Sequence, residues 1–488
     1  MSTQLKAQQG LTNLTPIKVI HILISLAIMV CFKFVPAAEP LTPLGVEVIG
    51  IFLGMLYGWL IANDSFWPSI FGLLFLGLSS YSTVPAVLRD GFGNSTVLLL
   101  FFFFFAFTNI ISAAGITEYI ARWIVSRKVV QGRPYLLTLM IFLAMCALVI
   151  MVSCAAATMV IFPLIKEICR LYGVKPGSKW ASITLVGTIC VGCSFYMLLP
   201  FKSLPAVVFS SYTQMSGGDS IALVPYLAIV VVITAITMAL LLVLMKFVLR
   251  CDVSVIASSN KSMEELPKLS RYQKFIMVFF VAVIVLLLFP SFVPKTFIVS
   301  TVLNNVGATG ILLGAVGVYI MVSLKEGMPA VQLFSKNIGW SIIFILAAAL
   351  SIADAMAAES TGISAWLVEL ITPVVQGKSP LVLTAVMCVV GMALTNVANN
   401  IATAAMLTPI AYSVGIACGA NPAALAVCVL LATNMGMATP PASAPAAIVH
   451  GEKEWIPGSD AVKYGLVCCG ITLVLILAVI FPMANVMF

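Results

Sequence analysis

Charge is scarce in this chain, and histidine scarcer still: Asp, Glu, Lys and Arg make up 9% of its 488 residues, and there are two imidazoles. A soluble globular domain is about 25% charged. With 62% hydrophobic residues, this chain has too little polar surface to face water on all sides. The shortage of His also removes the usual partners from twelve cysteines scattered through apolar segments, so no metal set is expected. Cys190 and Cys193 have CxxC spacing but lie within an apolar run, and they read as packing residues.

Other functions are excluded on similar grounds. No Ser/His/Asp or paired-carboxylate arrangement is available for catalysis, so neither an enzyme nor a cofactor is expected. An ATP-binding loop is missing: Gly377-Lys378-Ser379 has the right ending, but Thr372 stands where the motif requires Gly. Nucleic-acid binding needs a basic solvated face. The formal charge of +8 is instead concentrated in two connections, Arg122/Arg127/Lys128/Arg133 and Lys166/Arg170/Lys175/Lys179. That is the bias of cytoplasmic loops in membrane proteins.

What is present is a succession of apolar runs, such as Ile221–Met245, Phe275–Phe292 and Gly465–Phe481. They reach or approach the roughly 20 residues that cross a bilayer and lack the alternation of barrel strands. The expected fold is an all-α, polytopic protein of the plasma membrane with about eleven crossings, its N-terminus inside and its C-terminus outside. Gly307 and Gly310 interrupt one run, 298–323. The polar interval 250–274 divides the chain into halves, 1–249 and 275–488, and reads as a cytoplasmic linker.

The halves share landmarks. Gly115-Ile116 matches Gly362-Ile363, Pro163 matches Pro409, and Pro200…Ser203-Leu204-Pro205 matches Pro440…Ser443-Ala444-Pro445, at spacings of 247, 246 and 240 residues. An odd number of spans per half makes the copies inverted. Inverted repeats with matching broken helices predict a solute site at the midplane and alternating access. Two polar stretches within the apolar runs read as re-entrant hairpin tips, 153–158 and 399–403, and two proline-flanked stretches, 200–205 and 439–445, read as helix breaks.

Helix N-termini with hydroxyl and amide donors suit an anionic solute, because their free N–H groups carry partial positive charge. The candidate substrate-binding residues are Ser153, Lys202 and Ser203 in the first half. In the second they are Asn399, Asn400, Thr403, Thr439, Ser443 and Pro445. Lys202 is the most informative, since an ammonium at the bilayer centre costs about 2.5–3.5 kcal/mol or more and its repeat counterpart is Ala442. Two readings stay open: a fixed cation beside a carboxylate-bearing solute, or a side chain snorkelling to an interface. Asp354 is read as a proton relay, a partner for Lys202 or a structural acid, and Glu359 as a residue at a water boundary.

GFGNSTVLLL (91–100), the two Gly-Ile turns, the two tips with their downstream prolines, and PAAIVHGEKEWIPGSDAVKYG (445–465) resemble the divalent anion:sodium symporter family, over nearly the whole chain. The resemblance implies a secondary carrier of di- and tricarboxylates, a homodimer and an elevator-type alternating-access cycle. Sodium-coupled members carry Ser-Asn-Thr at both tips, where this chain has Ser153-Cys154-Ala155 and Asn399-Asn400-Ile401. The family's Gly-Thr/Ser-Pro-Pro at the first break becomes Lys202-Ser203-Leu204-Pro205. The expectation is that Lys202 supplies the charge that sodium supplies elsewhere, with exchange of carboxylates as in the antiporter branch. Sodium- or proton-coupled symport is the alternative, since sodium sites can be built largely from carbonyls.

Overall fold

The computed structural model describes residues 16–60, 66–94, 103, 114–126, 128–258, 269–293, 297–325, 340–363, 365–366, 369, 379–396, 400–440 and 442–488. Among them every regular element is helical. The first half contributes α1 (Pro16–Cys31), α2 (Pro43–Leu60), α3 (Trp67–Leu78), α4 (Ile116–Val125), α5 (Pro134–Met151), α6 (Cys154–Tyr172), α7 (Lys179–Tyr196), α8 (Ser203–Met215) and α9 (Leu223–Val243). The second contributes α10 (Arg271–Phe292), α11 (Ile298–Lys325), α12 (Trp340–Ala357), α13 (Pro380–Thr395), α14 (Asn400–Cys418), α15 (Pro422–Thr433), α16 (Ala444–Gly451) and α17 (Gly458–Leu475).

Seven of the described helices are long and apolar enough to cross a membrane, and five shorter apolar helices accompany them. The chain is an all-α, polytopic membrane protein. Helix starts follow local chemistry: Ser153, Ser178, Ser379, Asn421 and Ser443 each accept a backbone N–H in the first turn of the helix they cap. Ser270 and Gln273 form a reciprocal capping box at the start of α10, so that helix begins within the last residues of the polar interval 250–274. Within α11 the backbone leaves helical geometry at Gly307, so the run 298–323 is kinked at the first of its two suspected glycines.

The chain forms two compact units that do not follow its halves. One comprises Met1–Asn94 and Trp340–Leu370. Here α2 packs on α1 and α3, and α12 packs on α3. The helices are joined by polar contacts of the kind that hold spans together where lipid removes the hydrophobic drive: Ser25 Oγ donates to Gly54 O at 2.7 Å and Trp59 Nε1 to Ser69 Oγ at 3.1 Å. The Gly362 turn belongs to this unit. Its φ of +66° is left-handed, and a Cβ there would lie 2.1 Å from Pro40 O, so the turn accepts only glycine.

The other unit, Ser95–Gly339 with Ile371–Phe488, holds both hairpins and both breaks. Its elements recur in one order: hairpin α5–α6, interrupted pair α7–α8 and long α9, then hairpin α13–α14, interrupted pair α15–α16 and long α17. Packing crosses between the two series. The helix after the first break, α8, lies on α14 of the second hairpin, and the helix after the second break, α16, lies on α6 of the first. Lys166 of α6 pairs with Glu452 just beyond α16 at 2.7 Å.

Candidate functional site

The first tip is short. Helix α5 ends at Met151, Val152 is extended, and Ser153 caps α6 by accepting Ala156 N–H at 3.2 Å, with its side chain exposed. The first break runs from Met197 to Lys202, three residues earlier than the prolines suggest, because α8 restarts at Ser203 and takes Pro205 into its first turn, where few intrahelical donors are required.

Lys202 is 1% exposed. Its Nζ donates to Val149 O and, at 3.1 Å, to Val152 O, and sits 4.3 Å from the centre of the Tyr196 ring. Those two carbonyls belong to the last turn of α5 and its exit, where helix geometry leaves acceptors without partners and the macrodipole is negative. The ammonium therefore fastens the first tip to the first break and turns inward, not toward a headgroup interface. Ser203 Oγ lies 3.2 Å from Tyr196 OH. Cys154, the residue after Ser153, places its sulfur 3.6 Å from that of Cys193.

The second tip is fastened by neutral groups. Asn396 is the centre: its Nδ2 donates to Met392 O at 2.7 Å and Met435 O at 3.2 Å, and its Oδ1 accepts the N–H groups of Met437 at 3.0 Å and Ala438 at 2.7 Å. Thr439 Oγ1 donates back to Asn396 O. Asn400 Nδ2 reaches Asn434 O at 3.4 Å, and Thr395 Oγ1 lies 2.6 Å from both Asn400 Oδ1 and Thr433 O. Ser443 Oγ donates to Gly436 O at 2.8 Å while capping α16. Gly436 is required by close approach, since a Cβ there would stand 2.6 Å from Asn400 Oδ1. Backbone carbonyls and N–H groups freed by unwinding are thus paired with side chains, as burial demands.

The second break begins at Asn434, ahead of the expected 439–445, because the Asn396 amide accepts the N–H groups that helical continuation of α15 would have used. The second break also meets the helix that leads into the first: Asn434 Nδ2 donates to Cys193 O, near the end of α7, at 2.5 Å. Thr403 is buried on α14, and Pro445 is buried in the first turn of α16. Asn399 lies outside the described residues.

Of the predicted residues, the geometry gathers Ser153, Lys202 and Ser203 about the first tip and Asn400, Thr439 and Ser443 about the second. Asp354 belongs to the other compact unit. Sequence reasoning passed over Asn396, Thr395, Asn434, Gly436 and Tyr196. Asn434 carried a usable signal, a carboxamide in an apolar run directly before a proline break. Chemically, four helix starts, those of α6, α8, α14 and α16, are linked through one contact system with a buried cation inside it. Such an assembly suits an anion.

Comparison with known proteins gives the same picture. The model of a family described as citrate transporter matches residues 14–431. The sodium-dependent dicarboxylate transporter SdcS of Staphylococcus saprophyticus is 23% identical over 254 residues, 51% of this chain and 48% of that protein, so the match spans about half the length of this curated relative. The YdaH transporter of Alcanivorax borkumensis superposes with a TM-score of 0.57 at 13% identity, over 96% of this chain and 97% of that one. MtrF of Neisseria gonorrhoeae gives 0.54 at 12% identity, over 98% and 97%. At such identities the likeness establishes a shared fold.

Proposed function

The chain belongs to the citrate transporter family, and from that premise we propose that it is a carrier of di- and tricarboxylates, anions of the succinate, malate, 2-oxoglutarate or citrate type, working by exchange. The halves 1–249 and 275–488 act as inverted repeats joined by the 250–274 linker. They move solute by an elevator-type alternating-access cycle within a homodimer. The solute is met by Ser153, Lys202 and Ser203 from one side and by Asn399, Asn400, Thr403, Thr439, Ser443 and Pro445 from the other.

The observation that carries the reading is Lys202. Its ammonium is buried, stands at the first tip and is held there by main-chain carbonyls and an aromatic face. A carboxylate that reaches this ammonium gains a charge-assisted partner. A tethered cation cannot leave with the solute, and the carrier returns most readily with a second anion bound. That is exchange.

Sodium-coupled symport is a second reading with its own support. Thr395 Oγ1, Asn400 Oδ1 and Thr433 O crowd within 2.6 Å contacts at the second tip, an all-oxygen cluster of the kind that holds hard cations. A thermal-shift series on the purified protein with succinate, malate, 2-oxoglutarate, citrate and tartrate tests the substrate class. At least one of these anions is expected to raise the melting temperature in sodium-free buffer. Indifference to all five, with or without sodium, contradicts a carboxylate carrier.

A further inference from the structure

A second constellation lies in the unit formed by Met1–Asn94 and Trp340–Leu370, which does not contain the tips or the breaks. Helix α12 carries Ser351 and Asp354 about one turn apart and packs against the segment Arg89–Asn94. Ser351 is 5% exposed, and its hydroxyl has no hydrogen-bond partner among the described residues. That hydroxyl is aimed at Gly91, where a side-chain carbon would stand 2.9 Å from Oγ.

Gly91 follows Asp90, whose carboxylate acts electrostatically on that of Asp354. Tyr81, from the turn after α3, lies in the field of both. Asp90 has a counter-ion in Arg89 at 3.3 Å, but the Arg89 side chain is 69% exposed. Asp354 is half-buried and, among the described residues, its carboxylate has neither a hydrogen bond nor an ion pair. The elements packed on α12 carry other charged or titratable groups, Glu47 and Tyr57 on α2 and Glu359 beyond the helix end, while α3 carries none. Of these elements' groups, Asp90 is the one that acts on Asp354.

A buried hydroxyl without a partner is costly, and a carboxylate in an apolar helix beside a like charge is costlier still. Both costs fall if one positive charge sits among them. The donors are all oxygen, which favours a proton or a hard metal ion over a soft one.

We propose that Ser351, Asp354, Asp90 and Tyr81 form a binding site for one small hard cation, a proton or a sodium-sized ion, in the unit that lacks the hairpins. Its occupancy stabilises that unit whether or not carboxylate is present. The site is independent of how the tips handle their solute, so its test is read without substrate.

Melting temperatures of the full chain are measured in sodium-free, carboxylate-free buffer from about pH 5 to about pH 8, and then against added sodium, with choline as control, at the upper pH. The wild type is expected to lose about 3 °C as pH rises and the bound proton is released, or to regain about 3 °C on adding sodium. Asp354→Asn, nearly isosteric and permanently neutral, is expected to show neither response, and Ser351→Ala a reduced one. A difference from Asp354→Asn in the pH series assigns a proton, and one in the sodium series assigns the metal ion. Wild-type and Asp354→Asn curves that track each other in both series overturn the proposal.

Discussion

The two hairpin tips do the same mechanical job with different chemistry. At the first, one ammonium spans from the break to the last carbonyls of α5. At the second, Asn396, Asn400 and Thr395 share the task with Thr439 through neutral hydrogen bonds that join the tip to residues 433–439. A single charge is a strong, undivided fastening, and removing it leaves the tip carbonyls bare. An amide network distributes the load, so each deletion strands a definite set of backbone groups while the others hold. The first tip offers a solute a charge; the second offers shape and donors.

This contrast can be broken most sharply at Lys202. Lys202→Met keeps the buried stem and deletes the charge. Carboxylate uptake into proteoliposomes is expected to fall at least about 100-fold, in line with losing more than one charge-assisted contact. Because two buried carbonyls lose their donor, stability is expected to drop by about 3 kcal/mol. Wild-type uptake by a folded Lys202→Met protein would remove the charge from the comparison.

Asn396→Ala comes next. It strands the N–H groups of Met437 and Ala438, while Met435 O keeps its contact from Cys469 Sγ, for an expected loss of about 2–3 kcal/mol, read as a lower denaturation midpoint. Residual uptake is expected here and not in Lys202→Met, because Thr395, Asn400 and Thr439 still hold the second tip. Gly436→Ala is expected to cost about 1–3 kcal/mol, since the new methyl must push Asn400 Oδ1 aside. Its effect should shrink when combined with Asn400→Ala, which a double-mutant cycle measures.

The smallest effect is expected at the cross-series ion pair. Lys166 and Glu452 are 20% and 26% exposed, so Glu452→Gln should cost about 1 kcal/mol or less after solvent screening. Uptake should stay within about two-fold of wild type. A large loss of uptake there would show that the crossing of α16 over α6 is part of the carrier's movement and not only its packing.

Much of this was legible along the chain. Apolar runs and scarce charge specify helices in lipid, serines before them set their starts, and a lysine between two prolines marks a break. The glycines at 115 and 362 were found as a repeated dipeptide, and both are left-handed. What was not legible depends on contacts between distant positions. Asn396 and its neighbours Asn399 and Asn400 look alike in sequence, and only the return of residues 435–439 against the tip singles out Asn396 as the hub. Asn434 acquires its role from a carbonyl 241 positions away. The joining of 340–370 to the first 94 residues follows from packing of α12 on α3, for which the apolar pattern of neither helix carries a signal.

The central claim is that a tethered ammonium at the first tip replaces a dissociable cation in handling carboxylate. It is tested most directly by uptake of labelled succinate or citrate into proteoliposomes, loaded or not with unlabelled carboxylate, in choline and in sodium media. The account predicts uptake that requires internal carboxylate and is the same in both media. Accumulation in empty vesicles that depends on an inward sodium gradient would contradict it.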